Sequence, residues 1–471
     1  MHRLRRIALV TVASAITLSA APLASAQAAE PEVQPIAAYS LVTPVGASPS
    51  GLVARAVVPT GAPCPALEVV SQGGARRAVP MSVRQAPPTT GAAFVAFTAC
   101  TADIPAKAAE ARIGSVRIPA AMPDRVDRMA IFGDTGCRMK GSTFQNCASS
   151  DEWPLARIAT SIAKERPDVI LFTGDFFYRE AACPDAQDAL CGGSPAPIKG
   201  MPFKDTAYSW AADVFTPMSP MLASAPIVVT RGNHEECSRG GNGYFIYMDP
   251  RKGTEGACAP FVKSDGSLSV PSNNLMPTFA ADIQVNPERT LRLAIVDSAG
   301  DDDCEPTSVV PLQRTRFQRA QELARGREAW LVVHRPIAGW QPSNDCGPDG
   351  GWITGDETVA SVGLLDGFQM LLSSHIHLAQ AVNIPGIPGQ FVIGNGGTLL
   401  EPGRAPVATT GPQFPGVSYP APTSSWMDIR FGYVMASPAA GTGWTMQMHE
   451  PSGGVFATCA LKDTRIHCRP R

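Results

Sequence analysis

Five short stretches of this chain each end an apolar run in a residue type that binds metal. They are Ile131-Phe132-Gly133-Asp134-Thr135-Gly136, Leu171-Phe172-Thr173-Gly174-Asp175-Phe176-Phe177-Tyr178, Val229-Thr230-Arg231-Gly232-Asn233-His234-Glu235, Leu331-Val332-Val333-His334 and Leu372-Ser373-Ser374-His375-Ile376-His377. Carboxylate oxygens suit hard cations, and imidazoles suit zinc, iron and similar metals. One carboxylate has two oxygens and can bridge two ions. Two ions ~3.5–4 Å apart activate water and stabilise both the attacking and the leaving oxygen of a displacement at phosphorus. The set therefore points to hydrolysis of a phosphate ester.

Each residue alone has an ordinary reading. Asp134 and Asp175 would be strand-end turn residues, Tyr178 a core aromatic, and His334 a buried, satisfied histidine. These readings must all hold at once to remove the site. Of the 7 histidines, His234, His334, His375 and His377 fall inside the motifs. Arg231 and Arg335 lie beside candidate ligands, but such arginines more often pair with a carboxylate, so neither joins the site. Asp297 ends a strand and reads as structural. Asn395, in a glycine turn, reads equally as a turn residue or as a substrate-side residue. His449 and His467 read as surface residues.

The elements that must carry these residues alternate between strand and helix from Arg128 onward. Apolar strands are expected at 129–132, 169–173, 227–230, 291–296, 330–333, 368–372 and 390–393. Helices are expected over 153–165, with Asp151 as N-cap, and over 311–325. This is an α/β layered domain with buried central sheets, whose sites lie in loops at strand C-terminal ends. A late hairpin is expected from 431–436 and 442–448, with a further strand over 455–461. Long Cys-, Gly- and Pro-rich insertions over 180–207, 238–276, 339–356 and 401–424 are expected to wall a cleft. Residues 27–125 carry short β-like runs and suggest a small β-sandwich of their own, joined by a linker over 119–124.

The chain is 44% hydrophobic and 17% charged with a formal net charge of −2, a globular balance that gives no reason to expect nucleic acid as a partner. Residues 1–26 read as a signal peptide: Arg3, Arg5 and Arg6, then an apolar stretch, then Ala24-Ser25-Ala26. Export, to the periplasm or the medium, fits the 12 cysteines. The simplest pairing joins neighbours: Cys64–Cys100, Cys137–Cys147, Cys183–Cys191, Cys237–Cys258, Cys304–Cys346 and Cys459–Cys468.

The motif order Gly-Asp-x-Gly, Gly-Asp-x-x-Tyr, Gly-Asn-His-Glu, then His334, then His375-x-His377, resembles the calcineurin-like metallophosphoesterases over about residues 128–397. Most of that superfamily have His two residues after the first Asp, where this chain has Gly136. It has Tyr178 three residues after Asp175 instead, the mark of the purple acid phosphatase branch. Ser374 stands where the family usually has Gly, and Leu331 where it often has Val.

The resemblance implies a first metal held by Asp134, Asp175, Tyr178 and His377. It implies a second held by Asp175, Asn233, His334 and His375, with Asp175 bridging. It implies Fe(III) with Fe, Zn or Mn(II), and attack on a phosphate monoester by metal-bound hydroxide. His234 would stabilise the transition state and protonate the leaving alkoxide, its ring oriented by Glu235. The implied fold is a four-layer α/β/β/α sandwich preceded by a small all-β domain. Its expected domains are 27–125 (β-sandwich-like), 126–450 (catalytic) and 451–471 (a C-terminal strand and disulfide extension). Two other readings compete: a phosphodiesterase or nucleotide hydrolase using the same site, and an exported binding protein with a dead site.

Overall fold

The computed structural model describes residues 33–84, 94, 96–192, 202–253, 258, 261–262, 268–269, 275–342, 351–402 and 409–471. The expected signal peptide lies outside these residues. The compact unit Val33–Arg471 carries everything below.

Two large mixed sheets form the frame. The first has 11 strands, and its centre is the parallel trio Met129–Phe132, Val169–Phe172 and Ile227–Val229. Their register aligns Phe132 with Phe172 and Phe172 with Val229, so the three following loops leave one edge together. The second has 7 strands, with Arg289–Val296, Glu328–Val333, Met370–Ser373 and Gly389–Ile393 parallel at its centre. Here too the register brings the strand ends of Val333, Ser373 and Ile393 to one side.

These strands are apolar on both faces because both faces are covered. Along the second sheet the residues alternate between two cores. Leu293, Ile295, Trp330, Val332 and Leu372 join the large core shared with the first sheet. Ala294, Val296, Leu331, Val333 and Leu371 join a separate core with Phe317, Ala320 and Ala324 of the helix Val310–Ala324. A period of 2 thus sends each strand's side chains to opposite layers. Trp330 meets Trp444 of the first sheet at 4.9 Å between ring centroids, linking the two. The helix Leu155–Glu165 buries Leu155, Ile158, Ala159 and Ile162, a stripe at helical spacing.

Several expectations are corrected. Among the described residues of 27–125, most of the strands do not stand apart as a sandwich. Ala37–Val42 pairs in parallel with Ile227–Val229 (Leu41 opposite Ile227) and brings Leu52–Pro59, Phe97–Asp103 and Ser82–Val83 into the first sheet. Only Ala66–Ser71, Arg76–Pro80, Ala108–Ile113 and Val116–Ile118 make a separate four-stranded sheet. At the other end the expected strand forms as Val455–Lys462, and with Arg465–Pro470 it extends the first sheet. The helix expected from residue 153 begins at Leu155, after Pro154 and with no side-chain cap; Asp151 pairs with Arg157 instead. His449 is buried, stacked on Tyr433, not a surface residue. The strands Phe279–Asn286, Ala379–Asn383 and Ser424–Asp428 were not foreseen. The late hairpin forms as Tyr433–Pro438 with Trp444–His449.

Five expected disulfides are present: Cys64–Cys100, Cys137–Cys147, Cys183–Cys191, Cys237–Cys258 and Cys459–Cys468. Cys346, and with it the sixth expected pair, lies outside the described residues. No helix among the described residues is long and apolar enough to cross a membrane.

Candidate dinuclear metal centre

Where the two sets of strand ends meet, the loops lock together through backbone bonds. Asp134 N–H donates to the Gly174 carbonyl and Thr135 N–H to the Asp175 carbonyl, both at 2.9 Å. Ser374 Oγ donates to the Thr173 carbonyl at 2.7 Å, tying the second sheet to the first. Asp134, Asp175 and His375 all have left-handed backbones, at φ of 56°, 59° and 73°. Three non-glycine residues in that region at one spot mark strain held by the surroundings.

All seven expected ligand residues gather at this spot; five are buried, and His375 and His377 are half-buried. They fall into two groups that share Asp175. In the first, the Tyr178 hydroxyl lies 2.9 Å from Asp134 Oδ1, 2.7 Å from Asp175 Oδ2 and 3.0 Å from His377 Nε2. In the second, Asn233 Oδ1 lies 2.9 Å from both His334 Nε2 and His375 Nδ1, and His334 Nε2 is 3.2 Å from Asp175 Oδ2. Asp175, His334 and His375 form a compact triad of potential ligand atoms.

The donor chemistry fits cations at both points. In the second group the Asn233 oxygen faces only lone-pair acceptors. Turned over, its nitrogen would donate to His334 Nε2, His375 Nδ1 and Asp175 Oδ2. Either way, three acceptors converge with few protons among them, as a metal requires. In the first group, burial and then the nearby carboxylates push the Tyr178 phenol well above its ordinary value. Burial likewise pushes Asp134 up to about 8. For Asp175, burial opposes ionisation, but His334 and His234 outweigh it and hold the carboxyl well below its ordinary range. A cation between these groups relieves their mutual repulsion.

Each imidazole is fixed from behind. His334 Nδ1 donates to the Thr173 carbonyl at 2.9 Å, and His377 Nδ1 to the Leu399 carbonyl at 2.8 Å. His375 Nε2 lies 3.0 Å from Asp303 Oδ1, which also accepts from Arg335 Nε at 2.8 Å. Such partners fix the tautomer and aim the free nitrogen at the site. Arg335 and Arg231 thus pair with carboxylates, Arg231 with Asp297 at 3.1 Å, as the sequence suggested. Asn395 is fully buried and donates to the Arg430 carbonyl, while its side-chain oxygen has no partner among the described residues.

Gly136 explains the missing histidine of the first motif. A Cβ there would lie 2.7 Å from Asp213 Oδ2 and from the Phe176 carbonyl, and 2.8 Å from Tyr178 N. The loop that delivers Tyr178 occupies the space an imidazole would need. That loop is pinned by Asp213, which accepts from Tyr178 N and Cys137 N and pairs with the fully buried Arg179 at 2.6 Å.

His234 sits against this group, its ring 3.8 Å from the Tyr178 ring between centroids. Glu235 does not orient it. The Glu235 carboxylate accepts four backbone N–H bonds, from Asp175, Phe176, Phe177 and Gly232, and so shapes the Asp175 loop. Glu180 takes the expected role, with Oε1 2.5 Å from His234 Nδ1. Arg239 pairs with Glu180, and its Nη2 lies 2.7 Å from both ring nitrogens. Burial and the Arg239 charge pull the imidazole down to about 3. Sequence reasoning missed Glu180, Arg239, Asp213 and Asp303. Glu180 alone had a local signal, two residues after Tyr178 on the same loop.

Above these groups opens a cleft of ≈ 230 Å³, lined by the site together with Arg138, Lys140, Thr143, Asp303, Gln341 and Leu399–Pro402. The disulfide Cys137–Cys147 staples the turn that carries Arg138 and Lys140.

The calcineurin-like phosphoesterase family model matches residues 128–379. The chain belongs to that family and is a metal-dependent phosphoric ester hydrolase. Among solved structures it is similar to a purple acid phosphatase from yellow lupin (Lupinus luteus) seeds, at TM-score 0.52 and 14% identity, over 89% of this chain and 72% of that one. It is similar also to PhoD, at TM-score 0.51 and 13% identity, over 92% and 91%. At these identities the likeness is one of fold. No curated protein matches the sequence.

Proposed function

We propose that the chain is an exported, purple acid phosphatase-like enzyme that cleaves phosphate monoesters. Its catalytic domain would have the four-layer α/β/β/α build, with helices outside two facing sheets. Asp134, Asp175, Tyr178 and His377 would hold one metal, and Asp175, Asn233, His334 and His375 the other. Bound there, the metals supply Lewis-acid activation of water and stabilisation of charge at phosphorus. Export is supported by the disulfides.

The observation that carries this reading is the Tyr178 hydroxyl, within 3.0 Å of Asp134, Asp175 and His377. A phenolate is a hard, strongly donating anion that favours a trivalent ion, so iron is the expected occupant of the first position, with Fe, Zn or Mn(II) in the second. The remaining work falls to the chain. His334, His375 and His377 are held unable to rotate away. His234 leans over the Tyr178 ring with Nδ1 against Glu180 and with Arg239 beside both ring nitrogens, so protonating the departing alkoxide from Nε2 requires Arg239 to move off that nitrogen. The arriving phosphate anion favours the protonated ring that burial otherwise opposes.

The purified protein should show a visible phenolate-to-Fe(III) absorption band that Tyr178→Phe removes, and should hydrolyse p-nitrophenyl phosphate faster than bis-p-nitrophenyl phosphate. A colourless, fully active di-zinc enzyme would end the iron assignment, and faster turnover of the diester would end the monoester one.

A further inference from the structure

Arg138 is a charged side chain that the site described above does not use. It is half-buried and follows Cys137 at the start of the stapled turn. Its backbone is fixed from both sides: its N–H donates to Gln145 Oε1 at 3.0 Å, and its carbonyl accepts from Gln145 N at 2.8 Å. The guanidinium, by contrast, has no ion pair or side-chain hydrogen bond among the described residues. Its only partner there is the face of the Tyr178 ring, 5.9 Å from the centroid. Of the other charged groups of the cleft, Asp303 is engaged with Arg335 and His375, Glu401 with Gln341, and Lys140 is not free either. An arginine on a pinned backbone, with five donors that no described residue takes, at the mouth of a phosphate site, matches an oxyanion in charge and shape.

We propose that Arg138 binds substrate, its guanidinium taking a non-bridging oxygen of the phosphate ester on the Tyr178 side of the centre. This rests on the phosphatase reading above. The same chemistry would serve either the phosphoryl group being cleaved or a second anion beside it, and the two make different predictions.

The test compares wild type, Arg138→Ala and Arg138→Lys, all metal-loaded. It measures KM and kcat for p-nitrophenyl phosphate and for pyrophosphate, and the inhibition constant of inorganic phosphate. Melting temperature controls for folding, which should hold because, among the described residues, the guanidinium touches only the Tyr178 ring. Arg138→Ala should raise both KM and the phosphate inhibition constant by about tenfold or more, with kcat changed far less. Arg138→Lys, which keeps the charge but loses the fork, should fall between. A rise confined to pyrophosphate supports the anion site and assigns it to the second phosphoryl group. Unchanged KM and phosphate inhibition in an active Arg138→Ala enzyme would overturn the assignment while leaving the phosphatase reading intact. A wild-type protein that neither binds phosphate nor cleaves either substrate would sink both.

Discussion

At the scale of single residues, the ligand types were legible because metal chemistry demands a short menu of side chains after apolar strands. What supports them was not. Glu235 follows His234 in sequence and invited a pairing, yet its carboxylate is taken by four backbone donors of the Asp175 loop. The partner of His234 is Glu180, across 54 residues of chain; its place two residues after Tyr178 put it near the site, but nothing in the sequence paired it with His234. The difference is measurable. Glu180→Gln keeps the shape but removes the charge that favours a protonated His234. Its kcat should fall by about 10–100-fold, the range for a partner that orients a functional imidazole. KM should change little, and metal content should stay that of the wild type. Equal kcat in Glu180→Gln would return His234 to an unassisted role.

At the scale of elements, the periodicity located the buried strands because strands covered on both faces read as continuous apolar runs. Ends were less well defined, as with Pro154 in place of Asp151 before the first long helix. Strands such as Phe279–Asn286 alternate apolar with polar residues between loops and were lost among them. The elements deliver the site through very tight turns. Gly174 has φ of 106°, and a Cβ on it would lie 2.5 Å from His334 Nδ1. Gly174→Ala should therefore cost about 1–3 kcal/mol from the backbone alone, with more from displacing His334. Thermal unfolding should register the loss, and activity should fall with it. A variant as stable and active as wild type would show that this turn can relax without disturbing the imidazole.

At the scale of the whole molecule, local pattern hid the largest departure from expectation. Short β-like runs made 27–125 look like a separate domain, because such runs report strands but not which sheet a strand joins. Leu41 in fact pairs with Ile227, and the fully buried Arg55 donates to the Ile246 carbonyl at 2.7 Å. A chain begun at residue 126 would leave the Ile227–Val229 edge open. It should be insoluble or melt about 10 °C or more below the full protein, whereas a detachable domain would leave the remainder stable. The same joined frame lets loops from two sheets meet at Asp175. Anomalous diffraction from crystals grown with metal tests that meeting most directly. Two peaks about 3.5–4 Å apart are expected on either side of the Asp175 carboxylate, one against Tyr178 and His377, the other against His334 and His375. A single peak, or density away from these side chains, would contradict a dinuclear centre.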